Sequence, residues 1–339
     1  MSESIRVRVE EQSQTAEARR IARGITQNLG FDESLAEQVA IVVTEACTNL
    51  LKHAGGGELL IRATGDDSNP AAGLELLALD KGPGMHDLDQ CLRDGFSSGG
   101  TSGQGLGAIT RLSTASDFYS ERGKGAALVA RWLLAPAKAR VTRVSSDLHV
   151  GAVNVCKPGQ EVCGDSWGVE QTENSFTLMV ADGLGHGLDA RTASLEAVRM
   201  LHLTPNLSPV ALIERVHQAL RSSRGAAVAV ARIDRIANRV TFSGIGNITA
   251  QVYSSATTSQ SLISVYGTAG FQTQRIREFQ YPWTDNGMLL MFSDGLGSQT
   301  SLAGYAGLAL RDPALIAGVL YRDFARGNDD ATAVVAKAA

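Results

Sequence analysis

Twice in this chain an apolar run stops on an aspartate and turns at once into glycine. The first run, Phe176 to Ala181, leads into Asp182-Gly183-Leu184-Gly185-His186-Gly187, and the second, Met288 to Phe292, into Ser293-Asp294-Gly295-Leu296-Gly297. Short apolar runs of this kind read as buried strands, and a glycine after the acid lets the backbone turn sharply. Each strand therefore delivers one carboxylate at its C-terminal end. Further acids stand at Asp165, Asp329 and Asp330. Any one of them alone reads as a turn former, because Asp-Gly is a frequent turn pair. Taken together, each beside an apolar strand, they are better explained as a metal cluster. Hard oxygen donors without His or Cys partners favour Mg²⁺ or Mn²⁺ over zinc. Two such ions about 4 Å apart can clamp a phosphate and generate a hydroxide nucleophile.

The rest of the composition narrows the class. A chain of 339 residues is comfortable for two domains. Its net charge of −4 leaves no basic footprint for nucleic acid. Cys47, Cys91, Cys156 and Cys163 have no CxxC spacing, which predicts reduced thiols and not a disulfide framework. Residues 1–11 are polar and lack the core of a signal peptide. No run reaches the roughly 18 apolar residues a membrane span needs. A cytoplasmic protein is the expectation.

Ahead of the two acid-bearing strands lies a different pattern. Ala18, Ile21, Ala22, Ile25 and Leu29 have helical spacing, with Gly30 as C-cap. Asp32 caps a second helix running to about His53, whose apolar arc holds Leu35, Val39, Val42, Val43, Ala46 and Leu50. Glu45 and Asn49 lie one turn apart at the edge of that arc, either as ordinary surface residues or projecting into a cleft beside the helix. Residues 58–64 and 74–79 read as strands separated by a polar turn, Gly65 to Gly73. The second strand again ends in an acid, Asp80-Lys81-Gly82-Pro83-Gly84. A Gly/Ser-rich segment from Phe96 to Gly107 then opens a helix, where free backbone N–H groups and the helix dipole suit phosphate oxygens.

These three elements, in this order, resemble the N, G1 and G2 boxes of the GHKL ATP-binding fold: Glu45-Ala46-Cys47-Thr48-Asn49, Asp80-Lys81-Gly82-Pro83-Gly84 and Gly103-Gln104-Gly105-Leu106-Gly107. More narrowly, residues 5–134 are similar to the anti-sigma-factor and switch-protein serine kinases of the RsbT/RsbW type. The resemblance implies an α/β two-layer sandwich with ATP between sheet and helices. Asp80 would hydrogen-bond the adenine amino group, with Gly82 and Gly84 giving the base room. Asn49 would ligate Mg²⁺, and Glu45 would be the general base for a substrate serine. Gly103, Gly105, Leu106 and Gly107 would hold the phosphates under a lid formed by Ser97 to Ser102.

Residues 116–119 and 126–134 read as closing strands around a Gly123-Lys124-Gly125 turn. Residues 136–141 contain Pro, lack periodicity and read as a linker, giving domains at 1–135 and 142–339. Beyond it, helices are expected at 188–202, 209–221 and 313–324, and strands at 150–155, 226–233, 239–243, 248–253 and 333–336. Asn247 falls in a turn beside Gly246. This half resembles the SpoIIE/RsbX branch of the metal-dependent serine/threonine phosphatases. The resemblance rests on Gly164-Asp165-Ser166, Asp182-Gly183-Leu184-Gly185-His186-Gly187, Ser293-Asp294-Gly295 and Asn328-Asp329-Asp330-Ala331-Thr332. It implies an α+β domain of α-β-β-α type. Asp182 would bridge two metals as the central catalytic residue, Asp165 and the Gly183 carbonyl would serve one of them, and Asp294 and Asp329 the other. Asp330 stays open as the alternative to Asp329. His186 reads either as an acid or ligand, or as a helix-start residue. No phosphate-binding Arg is legible near the motifs.

The two resemblances together imply opposing activities on one serine or threonine switch. The partner implied is a STAS-domain anti-sigma antagonist or stressosome-type protein, with a sigma-factor regulatory protein as a further partner. ATP and Mg²⁺ would serve the first half and two Mn²⁺ or Mg²⁺ the second. The alternative keeps the phosphatase and makes the first half a nucleotide- or partner-binding module without kinase activity. Related kinase modules dimerise, so a homodimer is one expected assembly, although no interface is legible. Neither nucleic acid nor a membrane is expected as a partner.

Overall fold

The computed structural model describes residues 3–66, 69–85, 88, 105–134, 148–172, 174–256, 258–273 and 275–338. Contacts divide the chain into two units, one of Met1–Val141 with Gly304–Arg322, the other of Thr142–Ala303 with Asp323–Ala339. The expected linker at 136–141, the lid at Ser97 to Ser102 and Gly103 lie outside the described residues.

The first unit is built on an antiparallel sheet of order β1-β2-β3-β5-β4, from β1 (Ile5–Val9), β2 (Gly57–Asp66), β3 (Asn69–Leu79), β4 (Ala115–Ser120) and β5 (Ala126–Leu133). Helices α1 (Ser13–Asn28), α2 (Glu33–Asn49) and α3 (Gly105–Leu112) share one core with it. Asp32 caps α2 by accepting from the Leu35 N–H at 2.7 Å, which satisfies one of the orphan donors of a helix start. The α-helix stops at Asn49, four residues short of the expected end. It continues as a π-helical turn, Leu50–Ala54, closed by Gly55 at φ 72°. The expected polar turn at 65–73 is also shorter, because β3 already begins at Asn69. Gly73 is a strand residue: a Cβ there would stand 2.2 Å from the Trp132 carbonyl oxygen. It marks a close approach of two backbones and not a bend.

Both faces of this sheet are buried. Leu59, Ile61, Leu74, Leu76 and Trp132 pack with the helices, while their strand neighbours Leu60, Leu77, Leu79 and Val129 are buried as well. That alternation puts a second apolar surface on the far side. Helix α6 (Pro313–Phe324), from near the other end of the chain, belongs to this unit through its residues up to Arg322. At Gly318 an added Cβ would meet the Leu79 side chain at 3.2 Å and that of Leu77 at 3.4 Å. Asp312 opens α6, accepting from Ala314 N–H at 2.8 Å, with Pro313 at a position where a missing N–H costs nothing. The same carboxylate takes both Arg131 Nη groups at 2.6 and 2.7 Å. Arg131 and Arg62 each donate to Glu75 at 2.7 Å.

The second unit stacks two antiparallel five-stranded sheets. With β10 (Arg239–Ile245), β11 (Thr249–Tyr253), β12 (Ser259–Ser261) and β13 (Phe279–Pro282), one has the order β13-β10-β9-β8-β7 and the other β12-β11-β14-β15-β6. The strands that matter for the site are β6 (Leu148–Val155), β7 (Asp165–Gln171), β8 (Ser175–Gly183), β9 (Ala226–Asp234), β14 (Met288–Phe292) and β15 (Ala331–Ala338). A single core including Leu178, Val180, Phe242, Leu289, Met291 and Val334 fills the space between the sheets. Helices α4 (Leu188–Leu203) and α5 (Pro209–Ala219) cover the first sheet through Met179, Ala197, Leu201 and Ile213. The expected α/β sandwich and α+β architectures are both realised.

Candidate functional site

In the first unit the loop after β3 is organised by Asp80. Its Oδ1 accepts the N–H of Gly82 at 2.8 Å and of Ala126 at 3.1 Å. Gly82 is held too close to Ala54 for a side chain, with an added Cβ at 2.7 Å. Gly84 has φ +71°, and an added Cβ would stand 2.3 Å from the Glu121 carbonyl oxygen. Only glycine fits such a left-handed, crowded position. Behind the loop, Arg322 of α6 donates to the Asp80 carbonyl at 2.9 Å. Glu45 and Asn49 are half-buried on α2. The start of α3 comes up against them: an added Cβ at Gly105 would be 3.1 Å from Glu45 Oε2 and 3.6 Å from Asn49 Oδ1. Gly107 is buried and Leu106 packs against the core, so Leu106 anchors the helix start.

In the second unit Asp165 and Asp182 are directly paired across β7 and β8. Asp182, Asp294 and Asp329 line one pocket of about 210 Å³, together with Lys157, Leu184, Gly185, His186, Ala227 and Asn247. Asn247 donates to Asp294 Oδ2 at 2.7 Å. Asp330 lies behind this wall, buried. Its Oδ1 accepts from Lys157 N–H at 2.8 Å, while its Oδ2 finds no hydrogen-bond partner. Gly183 is buried so tightly that an added Cβ would be 1.9 Å from the Ala190 carbonyl oxygen. A Cβ at Gly295 would be 1.8 Å from that of Asp330. Both glycines after the acids are thus fixed by packing.

Burial, and then the carboxylates of Asp165, Asp294, Asp329 and Asp330, hold the Asp182 carboxyl well above the usual carboxylate range. Asp165 is raised mainly by burial, with Asp330 and Asp294 adding, against the opposing hydrogen bonds from Ser293 and Thr332. Asp294 is raised by burial and by Asp329, while Arg326 and Asn247 pull it down. Clustered acids that disfavour one another's ionisation, one with an orphaned buried oxygen, suit a divalent cation. Among the described residues no three His, Cys, Asp or Glu side chains are already gathered around one point. A magnesium-like ion does not need that, because it keeps several waters and takes one or two carboxylates.

Lys157 and Asn154 were not singled out in the sequence, and Ser293 and Thr332, though inside the quoted motifs, were given no role. Lys157 follows β6 in a Lys-Pro-Gly turn eight residues before Asp165, a spacing that carries no signal by itself.

Residues 9–132 match the family described as histidine kinase-like ATPase domain, and residues 172–338 the family described as stage II sporulation protein E. The serine/threonine-protein kinase RsbT of Bacillus subtilis is 30% identical over 134 residues, 39% of this chain and 99% of its own. The phosphoserine phosphatase RsbX of the same organism is 24% identical over 140 residues, 41% of this chain and 70% of its own. Among the solved structures that resemble the chain are these two. One, described as the bacterial stressosome, a modular system adapted to control secondary messenger signalling, is 26% identical at TM-score 0.52 and is 99% covered by 56% of this chain. The other, RsbX in complex with magnesium, is 21% identical at TM-score 0.50 and is 96% covered by 57% of this chain. No described helix is long and apolar enough to cross a membrane. The chain therefore belongs to the family of RsbT through its histidine kinase-like ATPase domain, to which it joins a serine/threonine phosphatase domain of the SpoIIE/RsbX type.

Proposed function

We propose that this chain sets the phosphorylation state of a serine or threonine switch on a STAS-domain anti-sigma antagonist or stressosome-type protein. The observation that carries the reading is the one pocket that Asp182, Asp294 and Asp329 line together with Lys157, with Asp165 paired to Asp182. Asp165, Asp182, the Gly183 carbonyl, Asp294 and Asp329 would hold two Mn²⁺ or Mg²⁺, which supply an activated water when bound. Lys157 would meet the phosphate oxygens, and the serine oxygen would leave protonated as inorganic phosphate forms. In the ATPase domain Asp80, Gly82 and Gly84 would receive adenine, and Gly105 to Gly107 the phosphates. Asn49 would hold Mg²⁺, and Glu45 would accept the proton of the attacking hydroxyl as ADP leaves.

The test uses γ-labelled ATP, a cognate STAS protein and the chain silenced as a phosphatase by Asp182→Asn. Labelled STAS protein, lost with Glu45→Gln while ATP still binds, supports transfer; no label with intact ATP binding sinks the kinase half. One observation favours the second reading, in which the ATPase domain gates the phosphatase. The chain between the acid loops at Asp294 and Asp329 runs through Gly304–Arg322, which belongs to the ATPase unit, and Arg322 holds the Asp80 carbonyl. Gating predicts that ADP changes p-nitrophenyl phosphate hydrolysis several-fold, and that Arg322→Ala removes the effect.

A further inference from the structure

Four buried polar residues join the two sheets of the phosphatase unit at its acid-bearing end. Asn154 is the last residue but one of β6, Ser293 follows β14 and Thr332 lies in β15, all in one sheet, whereas Asp165 opens β7 in the other. None of the four is more than 3% exposed. Ser293 Oγ donates to Asp165 Oδ2 at 2.6 Å and accepts the Thr332 N–H at 3.0 Å. Because an N–H can only donate, the serine proton has one direction left, toward the carboxylate. Asn154 Nδ2 donates to Thr332 Oγ1 at 2.7 Å and to the Asp165 carbonyl at 3.3 Å. With its oxygen accepting from an amide, the Thr332 hydroxyl also has its proton free, and it bonds the Asp165 carboxylate. Two donor chains thus end on one carboxylate: Thr332 N–H to Ser293 O–H, and Asn154 N–H to Thr332 O–H.

The members also neighbour the other acids. Ser293 immediately precedes Asp294, Thr332 stands two residues after Asp330, and Asp165 is paired with Asp182. A change in this network would therefore move acids contributed by both sheets. A buried hydroxyl pair placed only to satisfy strand ends would have no reason to converge on an ionisable group. Hydroxyls aimed at a carboxylate fix which oxygen lone pairs remain for a ligand, as outer partners do in metal sites generally.

We propose that Ser293 and Thr332 are positioning residues for the phosphatase reaction, aiming the Asp165 carboxylate at a divalent cation and setting the spacing between the acids of the two sheets. This rests on the reading of Asp165 as a metal ligand. The test is calorimetric titration of the full chain with Mn²⁺ alone, with p-nitrophenyl phosphate hydrolysis measured in parallel. Thr332→Val keeps the volume and removes the hydroxyl. It should weaken Mn²⁺ binding about 10- to 100-fold, with turnover recovering at saturating Mn²⁺ and KM for the ester nearly unchanged. Thr332→Ser, which restores the hydroxyl, should bind Mn²⁺ within about threefold of the wild type. Ser293→Ala gives an independent loss should Thr332→Val fail to fold. Folded Thr332→Val or Ser293→Ala with wild-type Mn²⁺ affinity overturns the proposal, as does a Thr332→Ser chain as weak as Thr332→Val. Wild-type protein that binds no Mn²⁺ overturns the metal reading and this proposal together.

Discussion

Stripping divalent cations from the phosphatase unit should make its stability fall as pH rises through neutrality. Asp182 and Asp165 both hold their protons well above the ordinary carboxylate range, by burial first, with repulsion from neighbouring acids adding. In the unfolded chain the same groups lose their protons near pH 4. Above that pH the native state binds more protons than the unfolded one, so the stabilisation present at low pH is lost progressively as pH climbs toward the native values. Each proton held only by the native state is worth about 1.4 kcal/mol per pH unit. One such proton between pH 5 and pH 7 amounts to about 2.7 kcal/mol, and two to roughly twice that. Urea unfolding in EDTA at pH 5, 6, 7 and 8 measures the slope. Hydrogen exchange of peptides from β8 (Ser175–Gly183) and β15 (Ala331–Ala338) assigns it to the phosphatase unit. Asp182→Asn removes one titrating acid and should flatten the slope by about 1.4 kcal/mol per pH unit. Saturating Mn²⁺ should reverse it, because a cation binds the deprotonated carboxylates and displaces their protons. Stability in EDTA that is level or rising from pH 5 to 8, or an unchanged slope in Asp182→Asn, would refute the clustered-acid account.

Two further predictions come from other parts of the molecule. Glu75, 2% exposed, takes Arg62 and Arg131 at once; Glu75→Ala should cost about 3–5 kcal/mol by leaving buried guanidinium charge unbalanced, read as faster exchange in β2 and β3 with β8 unaffected. Lys157 lines the acid pocket; Lys157→Ala should raise KM for a phosphoserine peptide about 10- to 100-fold, the worth of one charge-assisted hydrogen bond. Its Mn²⁺ affinity should stay within about threefold, and a larger shift would make Lys157 part of the acid cluster's support and not a phosphate group's partner.

The acids were legible because each sits beside an apolar run, Asp182 and Asp294 where one ends and Asp165 and Asp329 where one is about to begin, and that pattern survives without knowledge of the fold. Their mutual geometry was not. That Asp165 faces Asp182 follows from the β7–β8 register, which depends on the link between the two strands, a stretch with no distinctive spelling. The supporting roles of Asn154, Ser293 and Thr332 were hidden for a related reason, although Ser293 and Thr332 lie inside the quoted motifs. A small polar residue at the end of an apolar strand reads as the first residue of a loop, and only the second sheet turns it into a donor. Gly73 misled in the opposite direction. A glycine between polar residues reads as a turn, but here it admits the Trp132 carbonyl.

Helix α6 marks the limit of reading a chain in segments. Its position was plain from Pro313 onward, yet its allegiance was not, because every residue from Pro313 to Arg322 is buried. A helix that is apolar all round carries no stripe to say which layer it belongs to. The information lay elsewhere, in the second apolar face of β2 and β3, where Leu60, Leu77 and Leu79 alternate with residues already committed to the first core. A strand apolar on both sides requires two covers, and helices α1, α2 and α3 supply only one. The missing cover had to carry an acid to complement Arg131, which shares Glu75 with Arg62. Asp312, 181 residues away in sequence, meets that requirement at the point where α6 begins. It follows that residues 1–141 alone would expose the face formed by Leu60, Leu77, Leu79 and Val129, so the ATPase unit needs the residues after Ala303 to be a complete fold.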